Sequence, residues 1–285
     1  MLAQRLITAA VGLPIILGLI LLGGAVYTVA AAVILVFGAL EFFAATDPEY
    51  LRTAQNAAAR PRLQQTARPF YRQRLPGYAG AAAVALMVAG ADRGFDEWTG
   101  ALALAVAAVF LLAILRGDPQ AGLRDWIWII AGVAYIGFLG SHLVLVRDLD
   151  DDGDWALLSV FATFATDTCS YFVGRAIGRM HIAGAISPGK TLEGYAAGLA
   201  GGFAAVLLLN WVTGLDASAG QIIPLALLLP PVAMIGDLAE SLVKRGAGIK
   251  DTSEMLPGHG GFLDRMDSVL FTAPLVYYFV LWAIL

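Results

Sequence analysis

Acidic and basic side chains recur at helical spacing in the last third of the chain. A group of them occupies positions i, i+3, i+4, i+7 and i+8 of one predicted helix: Asp237, Glu240, Ser241, Lys244 and Arg245. Residues at these intervals share one helical face, on which the carboxylates precede the bases. Carboxylate oxygens suit a hard cation such as Mg²⁺, whereas Zn²⁺ prefers His and Cys. Lysine and arginine beside such a site suit phosphate oxygens.

A second acidic pair and a glycine-rich stretch follow. Asp264 and Asp267 stand at i and i+3 at the start of the last predicted helix, so they also share a face. Other residues suited to phosphate binding lie around this pair: Lys250, Asp251, Gly258, His259, Gly260, Gly261 and Arg265. Glycines let a backbone approach a phosphate closely. Metal, cations and positioning are what phosphoryl or nucleotidyl transfer requires, because such reactions need little covalent chemistry from the protein.

An upstream cluster places a carboxylate inside an apolar segment. Asp167, Tyr171 and Arg175 stand at i, i+4 and i+8 and share one helical face. An ionisable residue within a membrane segment is costly and by default indicates a functional site. The alternative is that Asp167 and Arg175 pair with each other inside a helical bundle.

The run Ser187–Gly194, SPGKTLEG, stands just before another apolar stretch. Ser187, Lys190 and the N–H groups of a helix start would form a phosphate cradle. The run is not a Walker A loop, because the upstream glycine and the strand context are missing. The alternative is simple helix capping, with Glu193 in the first turn.

The C-terminal clusters also have plain structural interpretations. Asp264 would serve as a helix cap with Asp267 as a first-turn acid, and Lys244–Arg245 would flank a membrane span. These interpretations leave Asp237 and Glu240 unexplained near the membrane. The lysines of the chain all fall in the clusters described: Lys190, Lys244 and Lys250. We therefore favour a functional site.

The composition places these clusters in a membrane protein. Of 285 residues, 59% are hydrophobic and 14% are charged, and the mean hydropathy is +0.75. A soluble domain is about 45–50% apolar and about 25% charged, so this chain has too little polar surface to dissolve as a globule. The apolar content excludes a disordered protein, and the single cysteine, Cys169, excludes a disulfide scaffold. The net charge of −4 argues against a nucleic-acid partner.

Apolar stretches between charged breaks predict an all-α fold, a polytopic membrane bundle of about nine transmembrane helices. The predicted spans are 6–23, 25–44, 77–91, 99–115, 126–146, 155–174, 192–213, 222–243 and 268–285. The stretch 77–91 is short, because a bilayer needs about 17–25 apolar residues per helix. The first stretch has no clear cleavage site, so we expect an uncleaved first helix.

We expect one integral membrane domain over 1–285. Its N-terminal helices occupy 1–150, including a basic cytoplasmic loop at 45–76, and its catalytic helices and motifs occupy 155–285.

The basic residues predict the orientation. With the N-terminus in the cytoplasm, all of the 18 Lys and Arg residues except Arg93 and Arg147 lie on the cytoplasmic side. This asymmetry is a strong positive-inside signal and supports an odd number of spans. The acidic run 148–154 then forms a solvated outer loop, which we prefer over a Ca²⁺ site because no Gly-and-Glu ligand spacing follows. The loop 45–76 serves as an orientation signal that touches anionic lipid.

The stretch Ser241–Asp267, SLVKRGAGIKDTSEMLPGHGGFLDRMD, resembles the signature of the phosphatidate cytidylyltransferases, also called CDP-diacylglycerol synthases. Two upstream stretches also resemble motifs of that family: Asp167–Arg175, DTCSYFVGR, and Ser187–Gly194. The resemblance is strong over 166–267, whereas the first 150 residues resemble the family in hydropathy and in the helix that contains Arg5 and Pro14.

The resemblance implies that CTP and phosphatidate react to give CDP-diacylglycerol and pyrophosphate in phospholipid biosynthesis. It implies Mg²⁺, with K⁺ as a possible second cation, and it makes Asp237, Asp264 and Asp267 the metal ligands. The implied catalytic residues are Asp237, Lys244, Arg245, Asp264 and Asp267. The implied substrate-binding residues are Asp167, Arg175, Ser187, Lys190, Ser241, Lys250, Asp251, His259, Gly260, Gly261 and Arg265.

The resemblance further implies a homodimer in the cytoplasmic membrane of a bacterium, with the site facing the cytoplasm where CTP and membrane lipid both arrive. Other classes stay open. In a transporter or channel, Asp167 and Asp237 would be ion sites, although the charges crowd one membrane face and no inverted repeat is visible. A catalytically dead relative would have lost signature residues, and none is lost. An enzyme of the same family that acts on another lipid phosphate, such as an isoprenoid phosphate, is the narrowest rival.

Overall fold

A computed structural model describes residues 2–57, 64–66, 69, 71, 73–215, 217–255 and 260–285. Much of the predicted basic loop lies outside the described residues, and so does His259. Contacts divide the chain into two compact units. The first unit comprises Met1–Val144 and Val243–Met266, and the second comprises Leu145–Leu242 and Asp267–Leu285.

The described chain is almost entirely helical, as predicted. Its helices are α1 (Leu2–Leu22), α2 (Gly24–Thr46), α3 (Pro48–Ala57), α4 (Leu75–Ala91), α5 (Phe95–Leu115), α6 (Pro119–Gly132), α7 (Leu139–Arg147), α8 (Asp154–Ile177), α9 (Leu192–Thr213), α10 (Ala219–Gly246), α11 (Leu263–Met266) and α12 (Val269–Ala283). A π-helical stretch, Val133–Phe138, joins α6 to α7. Two three-residue strands, β1 (Gln64–Thr66) and β2 (Ile249–Asp251), complete the described elements.

The apolar helices confirm a multi-pass membrane protein. Within the described residues, 7 helical segments are long and apolar enough to cross a bilayer. Two shorter apolar helices, Ala10–Leu22 and Leu75–Ala91, coincide with the remaining predicted spans. The predicted span 126–146 belongs to a longer helical segment, Pro119–Arg147. That segment begins earlier because the Asp118 side chain accepts hydrogen bonds from Gln120 N and Ala121 N and caps the helix start.

The first unit packs around Phe43. This buried ring lies edge-on to Trp128, with the ring centroids 5.2 Å apart. Its atoms lie so close to Gly80 and Gly132 that a Cβ atom at either glycine would approach the ring to 2.4 Å. Helices α2, α4 and α6 therefore meet at glycines where an alanine would not fit.

Arg74 and Arg116 pair with buried carboxylates of the first unit. The Arg74 guanidinium, just before α4, lies 2.9 Å from both Asp47 and Asp125, whose side chains are almost fully buried. Arg116 also pairs with Asp125 and with Glu49. Mutual pairing offsets the cost of removing these charges from water. Arg74 of the basic loop therefore has a structural role.

A short sheet ties the basic loop to the signature segment. Strands β1 and β2 pair in parallel, with Gln64 opposite Ile249 and Thr66 opposite Asp251. This pairing was not predicted, because three-residue strands carry too little periodicity to be recognised.

The second unit is built on close contact between α8 and α9. Gly194, Gly198 and Gly202 follow at i, i+4 and i+8 on α9. A Cβ at Gly198 would lie 2.0 Å from the Ser170 hydroxyl, and one at Gly202 would lie 2.1 Å from the Thr166 hydroxyl. Small residues at this spacing let membrane helices pack with their backbones close together.

Candidate functional site

Lys244 and Asp264 form the polar centre of the first unit. The Lys244 ammonium lies 2.7 Å from Asp264 Oδ1. Only 12% of the lysine side chain and 3% of the aspartate side chain are exposed. The pair joins the last turns of α10 to the short helix α11. Two residues chosen from the sequence for separate chemical reasons thus lie in direct contact.

The second oxygen of Asp264 is held by the signature backbone. Asp264 Oδ2 accepts hydrogen bonds from Thr252 N at 3.0 Å, from the Thr252 hydroxyl at 2.8 Å and from Gly261 N at 2.8 Å. Gly260 has φ +80°, and a Cβ there would lie 2.7 Å from Asp264 Oδ2. Gly260 and Gly261 let the backbone approach the Asp264 carboxylate closely. A close approach of these glycines to a phosphate stays a prediction.

Glu41, which sequence reasoning missed, meets the same segment from α2. Its side chain is buried at 1% exposure. Glu41 Oε1 accepts from the Ser253 hydroxyl at 2.6 Å and from Phe262 N at 3.1 Å, while Oε2 accepts from Leu263 N at 2.9 Å. The Thr252 hydroxyl lies 3.3 Å from Oε2. The sequence did contain a signal for Glu41, because it is a lone carboxylate in the predicted span 25–44. An ionisable residue within a membrane segment is costly, and the same argument singled out Asp167.

Four more predicted residues of the first unit lie on α10, β2 and α11. The Arg245 guanidinium donates to Ile249 O at 2.7 Å and closes the turn between α10 and β2. Lys250 is exposed on β2, and Asp251 is the strand residue opposite Thr66. Arg265 is exposed on α11. The exposed cations are therefore placed where a dissolved ligand can reach them.

Lys190 and Asp237 form the corresponding pair of the second unit. The Lys190 ammonium lies 2.6 Å from Asp237 Oδ2, and 23% and 35% of the two side chains are exposed. Asp237 lies on α10, and Lys190 lies in the loop before α9. The lysine of one predicted motif thus contacts the first carboxylate of another.

Two more predicted carboxylates interact with this pair. The Asp167 side chain on α8 interacts electrostatically with Asp267, Asp237 and Lys190. Asp267 Oδ1 accepts a hydrogen bond from Ser268 N at 2.8 Å. Three of the predicted carboxylates therefore lie near the Lys190 ammonium in the second unit.

The loop Ser187–Gly194 is a turn followed by a helix cap. Lys190 N donates to Ser187 O at 3.2 Å, and the Thr191 hydroxyl accepts from Gly194 N at 3.2 Å. The Glu193 carboxylate accepts from the backbone N–H groups of residues 179 and 180. Turn and cap contacts therefore account for most of this motif, and the Lys190 side chain reaches Asp237 on α10.

Two predicted binding residues have local roles in the described contacts. The Arg175 guanidinium donates to the Tyr171 hydroxyl at 3.0 Å, one helical turn away on α8. Ser241 is buried on α10, with 6% of its surface exposed. A role for either residue in binding substrate stays a prediction.

The predicted metal ligands offer carboxylate oxygens, which a hard cation needs, although the described residues form no complete metal-binding site. Within them, no group of three or more His, Cys, Asp or Glu side chains is arranged to hold a metal ion. Asp237 and Asp264 instead each direct an oxygen at a lysine ammonium. Carboxylate oxygens are hard donors, so these aspartates fit Mg²⁺ in chemical type.

Comparison with known proteins identifies the family. The profile of the cytidylyltransferase family matches residues 3–283. The chain belongs to this family. The match extends over the apolar N-terminal helices as well as the signature, so family membership does not rest on the motif alone.

Individual relatives of the cytidylyltransferase family agree. The chain is 29% identical to the phosphatidate cytidylyltransferase of Synechocystis sp. across 97% of this chain and 96% of that protein. It is 44% identical to the phosphatidate cytidylyltransferase of Brucella suis and 34% identical to that of Bacillus subtilis. Each of these two matches covers 53% of this chain and 56% of the relative.

Proposed function

We propose that this protein is a phosphatidate cytidylyltransferase, which transfers CMP from CTP to phosphatidate and releases pyrophosphate. The observation that carries the proposal is the buried Lys244–Asp264 pair, framed by Thr252 and Gly261 of the signature segment. Family membership and the relatives' names support the same reaction.

The reaction needs no strong base from the protein. An oxygen of the phosphatidate phosphate attacks the α-phosphorus of CTP, a new P–O–P bond forms, and the bond to the β-phosphate breaks as pyrophosphate leaves. Phosphatidate is already ionised near neutral pH, so its attacking oxygen carries no proton that must be removed. Charge neutralisation and positioning then account for most of the rate enhancement.

The basic residues are assigned by position. Lys244 is held by Asp264 and would present its ammonium to the triphosphate at a fixed place. Lys250 and Arg265 are exposed and would bind phosphate oxygens as CTP arrives, while Arg245 holds the turn at Ile249. Lys190 would bind the nucleotide or the lipid phosphate.

Mg²⁺ is the cofactor that we propose, with Asp237, Asp264 and Asp267 as its ligands and K⁺ as a possible second cation. When bound, such an ion screens the triphosphate and stabilises the leaving pyrophosphate. The proximity of Asp167, Asp237 and Asp267, all oxygen donors, supports a cation in the second unit.

We also propose that the protein lies in the cytoplasmic membrane, with the site facing the cytoplasm, and that it forms a homodimer. The distribution of basic residues supports this orientation. The charged groups of α10 lie at its C-terminal end, where Lys244 and Arg245 occupy the last turn.

Substrate competition tests the proposed reaction. Purified protein in mixed micelles would receive labelled CTP with phosphatidate, or with an isoprenoid phosphate in its place. Label should enter lipid with phosphatidate, and unlabelled CTP should compete better than ATP or GTP. Transfer only to the isoprenoid phosphate would replace the lipid assignment, and no transfer to either lipid would contradict the enzyme assignment.

A further inference from the structure

One face of α2 lies directly against the end of the signature segment. Phe37 stacks on Phe262 with ring centroids 5.5 Å apart and an interplanar angle of 21°. A Cβ built at Gly38 lies 3.8 Å from the Leu263 backbone, in ordinary van der Waals contact. Phe37, Gly38 and Glu41 stand at i, i+1 and i+4, so one helical face presents all three.

Glu41 is the polar anchor of that face. Its oxygens accept from the backbone N–H groups of Phe262 and Leu263 and from the Ser253 hydroxyl, at 3.1, 2.9 and 2.6 Å. It therefore holds both ends of the stretch that runs from Ser253 to Leu263. Hydrogen bonds to an acceptor that carries charge are stronger than neutral ones, and a buried acceptor gains most from them.

Thr252 links this anchor to the proposed catalytic carboxylate. Its hydroxyl lies 2.8 Å from Asp264 Oδ2 and 3.3 Å from Glu41 Oε2. A Cβ at Gly261 would lie 2.3 Å from that hydroxyl and 2.4 Å from Glu41 Oε2. The segment can therefore fold around both carboxylates only because residue 261 has no side chain.

We propose that Glu41 is a positioning residue for cytidylyl transfer: it holds residues 252–253 and 262–263 in place, and through them it orients Asp264. This inference rests on the proposed function, because the benefit of an oriented Asp264 is catalytic. It assigns a role in the reaction to α2, which lies outside the three motifs that resemble the family most strongly.

Glu41→Gln tests the inference, with Glu97→Gln as the matched control on an exposed position of α5. The amide keeps the volume of the side chain but places N–H donors against backbone N–H donors. We expect kcat to fall by about 10- to 100-fold, because small misplacements of a reacting group have effects of this size. Glu41→Asp, which restores the charge on a shorter side chain, should recover part of the loss. Glu97→Gln should keep the wild-type kcat.

A second readout does not depend on catalysis. Hydrogen exchange of the Phe262 and Leu263 amides, which donate to Glu41, should accelerate in Glu41→Gln, while exchange in α8 and α9 stays as in the wild type. A merely structural residue would lower thermal stability without this localised change. A folded Glu41→Gln protein with wild-type kcat, or with unchanged exchange at these amides, would overturn the inference.

If Glu41→Gln does not fold, the variant Ser253→Ala tests the inference in its place. Ser253 is half-buried and donates to Glu41, so its loss should accelerate exchange at Phe262 and lower kcat less than the Glu41 change does. Wild-type values in both measurements would overturn the inference. Wild-type protein that makes no CDP-lipid would instead contradict the proposed function, and the exchange data would show separately whether Glu41 holds the segment.

Discussion

Lys244 Nζ and Asp264 Oδ1 lie 2.7 Å apart, although 20 residues separate them in the chain. Both side chains are largely withdrawn from solvent. A buried ion pair is weak support for stability in itself, because desolvation offsets most of the attraction. Thr252 and Gly261 donate to Asp264 Oδ2, so the signature segment fixes the orientation of this carboxylate beside Lys244.

We predict that Asp264→Asn abolishes cytidylyl transfer while the protein remains folded in detergent. The amide cannot neutralise Lys244, and breaking a buried pair costs about 3–5 kcal/mol, so the melting temperature should fall as well. Product formation and thermal unfolding would be measured together, with Asp96→Asn on the exposed first turn of α5 as the control. Turnover retained at the wild-type level would rule out the ligand assignment.

We predict that Lys190→Met separates stability from activity. Its partner Asp237 is more than a third exposed, so the ion pair contributes only about 0.2–1 kcal/mol to folding. Activity should nevertheless fall steeply if Lys190 binds phosphate. A double-mutant cycle with Asp237→Asn would quantify the coupling in both assays. If activity falls no further than the small loss of stability explains, Lys190 has only a structural role.

We predict that Gly261→Ala destabilises the protein by about 1–3 kcal/mol, the usual cost of overpacking a filled site. The new methyl group would meet Thr252 and Glu41 at distances that real contacts do not reach. Gly100→Ala is the matched control, since a Cβ there meets nothing within 4 Å. Chemical or thermal unfolding in detergent measures both variants. Equal stability of the two would show that the segment around Gly261 is not packed as described.

Hydropathy was sufficient to predict most of the fold. The predicted span 192–213 coincides with α9, and the predicted span 155–174 lies within α8, because apolar runs between charges define helices in a membrane. The short stretch 77–91, the weakest of the predicted spans, is α4. The strand pairing at β2 was not predictable, because it depends on a partner in the distant loop 45–76.

Most residues of the candidate site were predicted from the sequence, but the contacts between them were not. Helical spacing predicted Asp237 and Lys244 as site residues. Each of them pairs with a residue far away in the sequence. Helical spacing carries no information on such distant pairs. Glu41 was missed although it is a lone carboxylate in a predicted span, and its partners, among them the backbone N–H groups of Phe262 and Leu263, follow from no side-chain pattern. The family and the reaction predicted from the signature agree with the matching profile and with the relatives' names.

We predict that the acidic run 148–154 faces away from the cytoplasm. Asp152→Cys, in a Cys169→Ser background, should react with a membrane-impermeant thiol reagent added outside intact cells. Arg52→Cys in the basic loop should react only after the membrane is opened; both native residues are exposed. The reverse pattern would invert the topology and place the site on the outer side.

Label transfer from CTP tests the central claim most directly. Purified protein, phosphatidate and Mg²⁺ in mixed micelles would be given CTP labelled at either the α- or the γ-phosphate, with EDTA in a parallel sample. The account predicts that α-label enters lipid, that γ-label leaves in pyrophosphate, and that EDTA stops both. Label in lipid from the γ-phosphate, or no lipid product from folded protein, would contradict it.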